Sequence, residues 1–157
     1  MRTRPFILRK ARMGDIRQIH ALLMEASAKG ELLPRSFSQL YSHLRDFFVI
    51  VGVEGGEIGG CCALSITWEG LAEVRSLIVA DRLRRQGWGR RLVEACLSEA
   101  LTLGVFKVFT LTYQVDFFAG LGFEITDKNE LPQKVWAECL NCPKFPDCDE
   151  TAMLMVM

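Results

Sequence analysis

The sequence predicts an α/β (α+β) domain with one mixed, twisted β-sheet, an antiparallel N-terminal meander and about four flanking helices. Three apolar, β-branched runs are separated only by short glycine-containing turns: Phe47–Val53, Ile58–Trp68 and Leu71–Val79. A helical repeat of apolar residues follows from Trp88 to Gly104, and a further strand, Val105–Tyr113, comes after it. This strand–helix–strand order implies that the third strand of the meander gains a parallel neighbour.

The remaining elements complete one domain over residues 1–157, without a repeat or a linker. Asp15 with Gln18, and Ser36 with Gln39, have the spacing that opens helices, and the first helix has an apolar inner face. The other predicted elements are a first strand at Phe6–Arg9, a short helix at Val115–Leu121, and strands at Phe123–Thr126 and Thr151–Val156.

Charge and hydropathy exclude several classes of partner. Acidic and basic residues balance at 19 each, which leaves no general field for nucleic acid or a membrane surface. No apolar run approaches the roughly 20 residues of a membrane span, and no signal peptide is visible. The six cysteines are therefore expected in a reducing cytoplasm. The oligomeric state, a homodimer included, is left open.

The turn after Leu71–Val79 is a candidate anion site. Five arginines lie between Arg82 and Arg91, and the turn contains Gly87 and Gly89 just before the helix. A helix N-terminus offers free backbone N–H groups and the positive end of the dipole, which suit a phosphate or pyrophosphate. The turn matches neither a Walker loop nor the Gly-x-Gly-x-x-Gly dinucleotide pattern.

Two motifs resemble landmarks of the GCN5-related N-acetyltransferases (GNAT). Arg84, Gly87 and Gly89 match the Arg/Gln-x-x-Gly-x-Gly/Ala loop, and Phe117–Phe123 resembles Leu-Tyr-x-x-x-Gly-Phe. The resemblance implies the GNAT fold and acetyl-CoA as cosubstrate. It also implies the following acetyl-CoA contacts: Leu77, Ile78, Val79, Arg84, Arg85, Gln86, Gly87, Trp88, Gly89, Arg90, Phe117 and Phe118.

The same resemblance suggests catalytic roles. Glu73, one of two charged residues inside the central strand, would take the proton of the attacking amine, directly or through a water. Backbone N–H groups near Leu77 and Ile78 would meet the oxyanion. Phe118 stands where the family commonly has a tyrosine that protonates the departing CoA thiolate, and phenylalanine cannot donate a proton. Tyr113 is the candidate to replace it, although Tyr113 is equally well explained as a structural residue with an ordinary hydrogen-bond partner. The thiolate can also leave without a proton donor.

The cysteines leave four alternatives open. Acyl transfer through a cysteine is conceivable, but Cys61, Cys62 and Cys96 lie on apolar faces and look structural. Cys139, Cys142 and Cys148 are close enough in sequence to bind zinc, yet they lack an obvious fourth ligand. Reduced thiols or a redox pair explain these three as well.

Within the family, the chain resembles short, single-domain N-acetylglutamate synthases. The shared segments include Gly30–Ser36, Phe109–Thr112 and Leu131–Trp136. The resemblance implies transfer of acetyl to the α-amine of L-glutamate, the first step of arginine biosynthesis, with Arg35 on a carboxylate. The family's second basic anchor near the C-terminus has no arginine here, so Lys134 or Lys144 would have to substitute for it. Arg75 serves either the substrate or a salt bridge across the sheet.

Two alternatives stand beside glutamate acetylation. One keeps the enzyme but changes the acceptor to another amino acid, a peptide N-terminus or a polyamine. The other keeps the fold without catalysis, as a CoA-sensing or zinc-bearing module. Phe118 favours the second alternative, whereas Glu73 and the two loop glycines argue against it.

Overall fold

A computed structural model of the protein describes residues 5–30, 35–132 and 149–157. Within them, seven strands form one sheet: β1 (Phe6–Lys10), β2 (Phe47–Gly52), β3 (Ile58–Trp68), β4 (Leu71–Val79), β5 (Lys107–Thr112), β6 (Glu124–Ile125) and β7 (Thr151–Val156). Four α-helices accompany the sheet: α1 (Ile16–Ala28), α2 (Phe37–Ser42), α3 (Trp88–Thr102) and α4 (Val115–Gly120).

The sheet has the order β1-β2-β3-β4-β5-β7-β6. Every neighbouring pair is antiparallel except β4 and β5, which are parallel and joined through α3. The predicted fold class and the predicted parallel neighbour of β4 are therefore confirmed. None of the helices in the described ranges is long and apolar enough to cross a membrane.

Two apolar cores cover opposite faces of the sheet. One core joins β2 and β3 to α1 and α2, and its α1 residues include the fully buried Ile16, Ile19 and Leu23. The other core joins β2, β3 and β4 to α3 and α4, with Cys96 and Phe118 among its members. The apolar inner face that the sequence predicts for α1 is the face that the helix buries.

The predicted helix starts differ in how they are stabilised. Ser36 and Gln39 form the predicted capping box of α2, with the Gln39 N–H 3.1 Å from Ser36 Oγ. Helix α1 does begin after Asp15, but this carboxylate is bound to the Arg9 guanidinium at 2.7 Å and to the Arg12 N–H. Burial favours the neutral acid, yet these two partners outweigh it and lower the pKa of Asp15.

A β-bulge interrupts β4. Arg75 pairs with Ala63, but the next paired residues are Ile78 and Cys61, so β4 contains one extra residue. Ser76 lies there with φ 56°, a left-handed conformation that few non-glycine residues adopt. The bulge reverses the alternation of side chains along the strand.

Regular alternation of side chains along β4 predicts that Glu73, Arg75, Leu77 and Val79 lie on one face, and the structure shows this prediction to be wrong. Leu77 and Val79 pack with the α3-side core, whereas Ile78 packs with the α1-side core. Glu73 and Arg75 precede the bulge, and the Arg75 side chain lies beside α2 in a small pocket. The physical reason is the extra residue, because strict alternation holds only while the pairing register is regular.

Strands β4 and β5 separate soon after they begin. Their register pairs stop at Glu73 with Phe109, and the hydroxyl of Thr110 then donates to the Val74 carbonyl at 2.9 Å. Beyond this point β4 runs on into the bulge while β5 turns into α4 at Val115. The gap between the two strands is the entrance to the candidate site.

Candidate active site

The gap between β4 and β5 opens into a cavity of about 650 Å³. This volume lies within the usual range for small-molecule and cofactor sites. One wall is the second half of β4 with the bulge, a second wall is the end of β5, and the floor is the turn that leads into α3. The lining includes eleven of the twelve residues that the sequence assigns to acetyl-CoA: Leu77, Ile78, Val79, Arg84, Arg85, Gly87, Trp88, Gly89, Arg90, Phe117 and Phe118.

The turn before α3 presents its backbone to this cavity. Gly87 is the N-cap of α3 with φ 85° and ψ 6°, and no side chain caps the first turn within the described residues. Arg85 also has a positive φ, 64°. A glycine cap leaves the first N–H groups of the helix accessible, and the dipole makes them attractive to an anion.

Two arginines, one in the turn and one in the first turn of α3, have ion-pair partners. The Arg84 guanidinium donates to the Val79 carbonyl at 3.2 Å and lies 3.3 Å from the Asp81 carboxylate. Arg90 pairs with Glu94 at 2.7 Å on the exposed side of α3. Both arginines also line the cavity, so each contributes positive charge to it while paired with its carboxylate.

Gln86 is the predicted acetyl-CoA residue that does not line this cavity. Its amide donates to the Arg82 carbonyl at 3.3 Å, and its side chain borders a separate groove beside Phe6 and Trp88. Any contact from Gln86 to a ligand in the cavity would therefore involve the backbone of the turn.

The wall formed by α4 is aromatic and carries no hydroxyl. Phe118 is buried, with its ring centroid 5.0 Å from that of Phe117 and 5.2 Å from that of Phe123. Tyr113 lines the cavity from the end of β5, and its hydroxyl donates to Asp149 Oδ1 at 2.7 Å. The phenol predicted to replace the missing tyrosine thus has a carboxylate acceptor for its proton.

A second, smaller pocket adjoins the cavity on the α2 side of β4. Arg75 and Ser76 line both spaces, and Arg35 lines the smaller one. The Arg75 guanidinium lies 3.7 Å from the Glu73 carboxylate, so these two residues form an ion pair on one strand. Two predicted substrate residues are therefore brought together, whereas Lys134 lies outside the described residues.

The described cysteines are buried and reduced. Burial, with a smaller effect of Cys96, raises the pKa of Cys61, while the hydrogen bond with Cys96 and burial raise that of Cys62. A buried, protonated thiol is a poor nucleophile, so these cysteines do not favour an acyl-enzyme. Cys139, Cys142 and Cys148 lie outside the described residues, and the zinc hypothesis stays a prediction.

Several cavity residues were missed by sequence reasoning. Thr110 and Thr112 are buried polar side chains on β5, and Glu150 lines the cavity just before β7. Polar residues that alternate inside an otherwise apolar strand were a usable signal for the two threonines. Glu150 gave no comparable signal because it precedes its strand outside any motif.

The profile of the acetyltransferase (GNAT) family matches residues 15–123, a range that contains the glycine turn, the β4 bulge and the α4 wall. The chain belongs to the GNAT family. This GNAT chain is an acyl-CoA-dependent N-acetyltransferase, as the resemblance in its two motifs implies.

The alignments with similar proteins cover most of this GNAT chain. An uncharacterized N-acetyltransferase of Chlorobaculum tepidum is 39% identical over 150 residues, 96% of each chain. An amino-acid acetyltransferase of Mycobacterium tuberculosis is 30% identical over 84% of this chain and 76% of its own. The N-acetylglutamate synthase from Neisseria gonorrhoeae, solved with coenzyme A and N-acetyl-glutamate, is 25% identical with a TM-score of 0.86. The match covers 99% of this chain but 36% of that synthase.

Replacing Gly87 with valine should weaken acetyl-CoA binding by at least about tenfold, or roughly 1.4 kcal/mol. A valine here is strained at positive φ, and its branched side chain would occupy space that the pyrophosphate must approach. Calorimetric titration of the folded variant with acetyl-CoA measures the effect.

Gly104→Val is a matched control, because Gly104 follows the same helix with φ 78° and, as at Gly87, open space surrounds the position that a Cβ would take. Both variants should lose stability, but only Gly87→Val should lose affinity. Equal affinities of the two variants for acetyl-CoA would show that the turn is not part of the binding site.

Proposed function

We propose that this acetyltransferase transfers the acetyl group of acetyl-CoA to the α-amine of L-glutamate, by direct attack in a ternary complex. The reaction is that of an N-acetylglutamate synthase, the first step of arginine biosynthesis, and we expect it in the cytoplasm. The observation that carries the proposal is the position of Arg75, which lines both the acetyl-CoA cavity and the small pocket that contains Arg35.

Arg75 lines the cavity and, together with Arg35, the small pocket beside it, and two guanidinium groups suit an acceptor with two carboxylates. Guanidinium binds a carboxylate through two parallel hydrogen bonds, and each glutamate carboxylate could use one such partner. The pocket also contains Asp46, but its carboxylate lies 3.3 Å from His43 Nδ1 and is partly buried. Arg75 is therefore our candidate for the second anchor, in place of Lys134 or Lys144.

The similar proteins support the same acceptor. One relative is named as an amino-acid acetyltransferase, and the synthase of Neisseria gonorrhoeae was solved with coenzyme A and N-acetyl-glutamate. This chain spans about a third of that synthase. The similarity therefore supports the acetyl-transfer reaction only, and not the functions of the rest of the larger protein.

The proposed chemistry uses residues on both sides of the bulge. Glu73 lines neither the cavity nor the small pocket, so it would take a proton from the ammonium group through a water, and the free amine attacks the thioester carbonyl. The N–H groups of Leu77 and Ile78 stabilise the oxyanion, and collapse of the tetrahedral intermediate releases the CoA thiolate. Tyr113 is the candidate donor to that thiolate, although its hydroxyl proton is directed at Asp149 before the reaction.

An assay for free CoA tests the proposed function. The protein is incubated with acetyl-CoA and, in parallel, with L-glutamate, L-glutamine, L-aspartate, an N-terminal peptide and spermidine. We expect release of CoA with L-glutamate at a kcat/KM well above that for the other acceptors, and formation of N-acetylglutamate by mass spectrometry.

Other outcomes of this assay identify the alternatives. Preferential turnover of another amine would keep the enzyme and change the acceptor. No turnover with any amine, together with tight acetyl-CoA binding, would indicate a CoA-binding module without catalysis. The intact glycine turn and the Glu73–Arg75 pair speak against that second outcome.

A further inference from the structure

We infer that Cys61 and Cys62 are positioning residues whose thiols hold the β4 bulge in its active shape. The two side chains lie on β3, opposite the bulge, and donate to its carbonyl groups. The inference rests on acetyl transfer at the bulge, as proposed above, and it does not depend on the identity of the acceptor.

The bulge makes the backbone pairing between β3 and β4 irregular. Between the paired residues Arg75 and Ile78, β4 has two residues where β3 has Cys62 alone. A donor that reaches a buried carbonyl at such an irregularity helps to hold the local backbone in place. Cys61 Sγ lies 3.4 Å from the Ser76 carbonyl oxygen and Cys62 Sγ lies 3.8 Å from the Arg75 carbonyl oxygen.

The two thiols act from opposite faces of the sheet. Cys61 belongs to the α1-side core and Cys62 to the α3-side core, and both are fully buried. Cys62 Sγ also lies 3.7 Å from Cys96 Sγ on α3. A line of contacts therefore runs from the helix that begins at the glycine turn, through β3, to the backbone of the bulge.

The chemical state of the thiols suits this role. Both have a raised pKa, so both remain protonated and keep an S–H donor over the ordinary pH range. A donor at each position fixes the peptide groups between Arg75 and Ile78. The N–H groups of Leu77 and Ile78 belong to this segment and are those assigned to the oxyanion.

The test compares Cys61→Ala with Cys61→Ser, since the two replacements have nearly the same size and differ in one hydroxyl donor. Amide hydrogen exchange of Leu77 and Ile78 is followed by NMR, and kcat is measured with saturating acetyl-CoA and L-glutamate. We expect Cys61→Ala to speed exchange at these amides by about 5- to 30-fold and to lower kcat by a similar factor. Cys61→Ser should restore both values, and KM for acetyl-CoA should change little.

Controls separate positioning from packing. Cys96→Ala removes a buried thiol of the same core without removing a donor to β4, so it should reduce thermal stability while leaving exchange at the Leu77 and Ile78 amides as in the wild type. Cys62→Ala and Cys62→Ser repeat the comparison from the other face if the first pair folds poorly.

Two results would overturn the inference: unchanged exchange in both alanine variants, or alanine and serine variants impaired alike at both positions. If the wild type does not acetylate glutamate, the exchange measurement alone decides, and the proposed function fails separately.

Discussion

Replacing Glu73 with glutamine should lower kcat for L-glutamate by about 100-fold at neutral pH, because a general base contributes at least this much in most enzymes. The amide keeps the size of the carboxylate but cannot accept the ammonium proton. The loss should shrink as pH rises, because a growing share of the amine is then already neutral. A pH series of kcat for wild type and variant measures both effects.

Glu69→Gln is the control, since Glu69 is an exposed glutamate in the turn before β4. Glu73 also pairs with Arg75, so its loss can raise KM for glutamate as well. The decisive quantity is therefore the pH dependence of kcat at saturating substrate. If the pH profiles of kcat for Glu73→Gln and wild type are parallel, Glu73 is not the general base and serves only as the ion-pair partner of Arg75.

Replacing Arg35 with lysine should reduce kcat/KM for L-glutamate by about 10- to 150-fold, the equivalent of losing a charge-assisted contact of about 1.5–3 kcal/mol. Lysine keeps the charge but cannot form two parallel bonds to a carboxylate. The effect should appear in KM for glutamate, while KM for acetyl-CoA should stay close to wild type because Arg35 does not line the larger cavity.

Two comparisons sharpen the Arg35 experiment. Arg45→Lys changes an exposed arginine just after α2 that lines neither space, and it should behave as wild type. L-Glutamine, which lacks the side-chain carboxylate, shows which carboxylate Arg35 binds. A much smaller loss with glutamine assigns Arg35 to the side-chain end, and an equal loss assigns it to the α-carboxylate. Wild-type kinetics with glutamate in Arg35→Lys would refute the assignment.

Local sequence patterns predicted the elements well where the signal itself is local. The bounds of β3 and β4 are those expected, Gly87 and Gly104 flank α3 as predicted, and Ser36 with Gln39 forms the capping box of α2. Each of these features depends on residues that are neighbours in the chain, so a pattern in the sequence suffices to predict it.

Features that depend on distant residues escaped prediction. Nothing about Ser76 indicates that it adopts φ 56°, because the bulge is set by pairing with β3 rather than by its own residue type. The meeting of Arg35 and Arg75 likewise depends on how α2 lies against β4.

The early separation of β4 and β5 gives this protein strand edges in the middle of its sheet. Outer edges of sheets are exposed to association with other chains, and proteins usually shorten or cover them. Here the inner edges face each other across the cavity, whose lining also includes residues of α3 and α4. We expect a ligand with amide groups along its length to pair with these edges as a short extra strand would, so that the interruption of the sheet serves recognition.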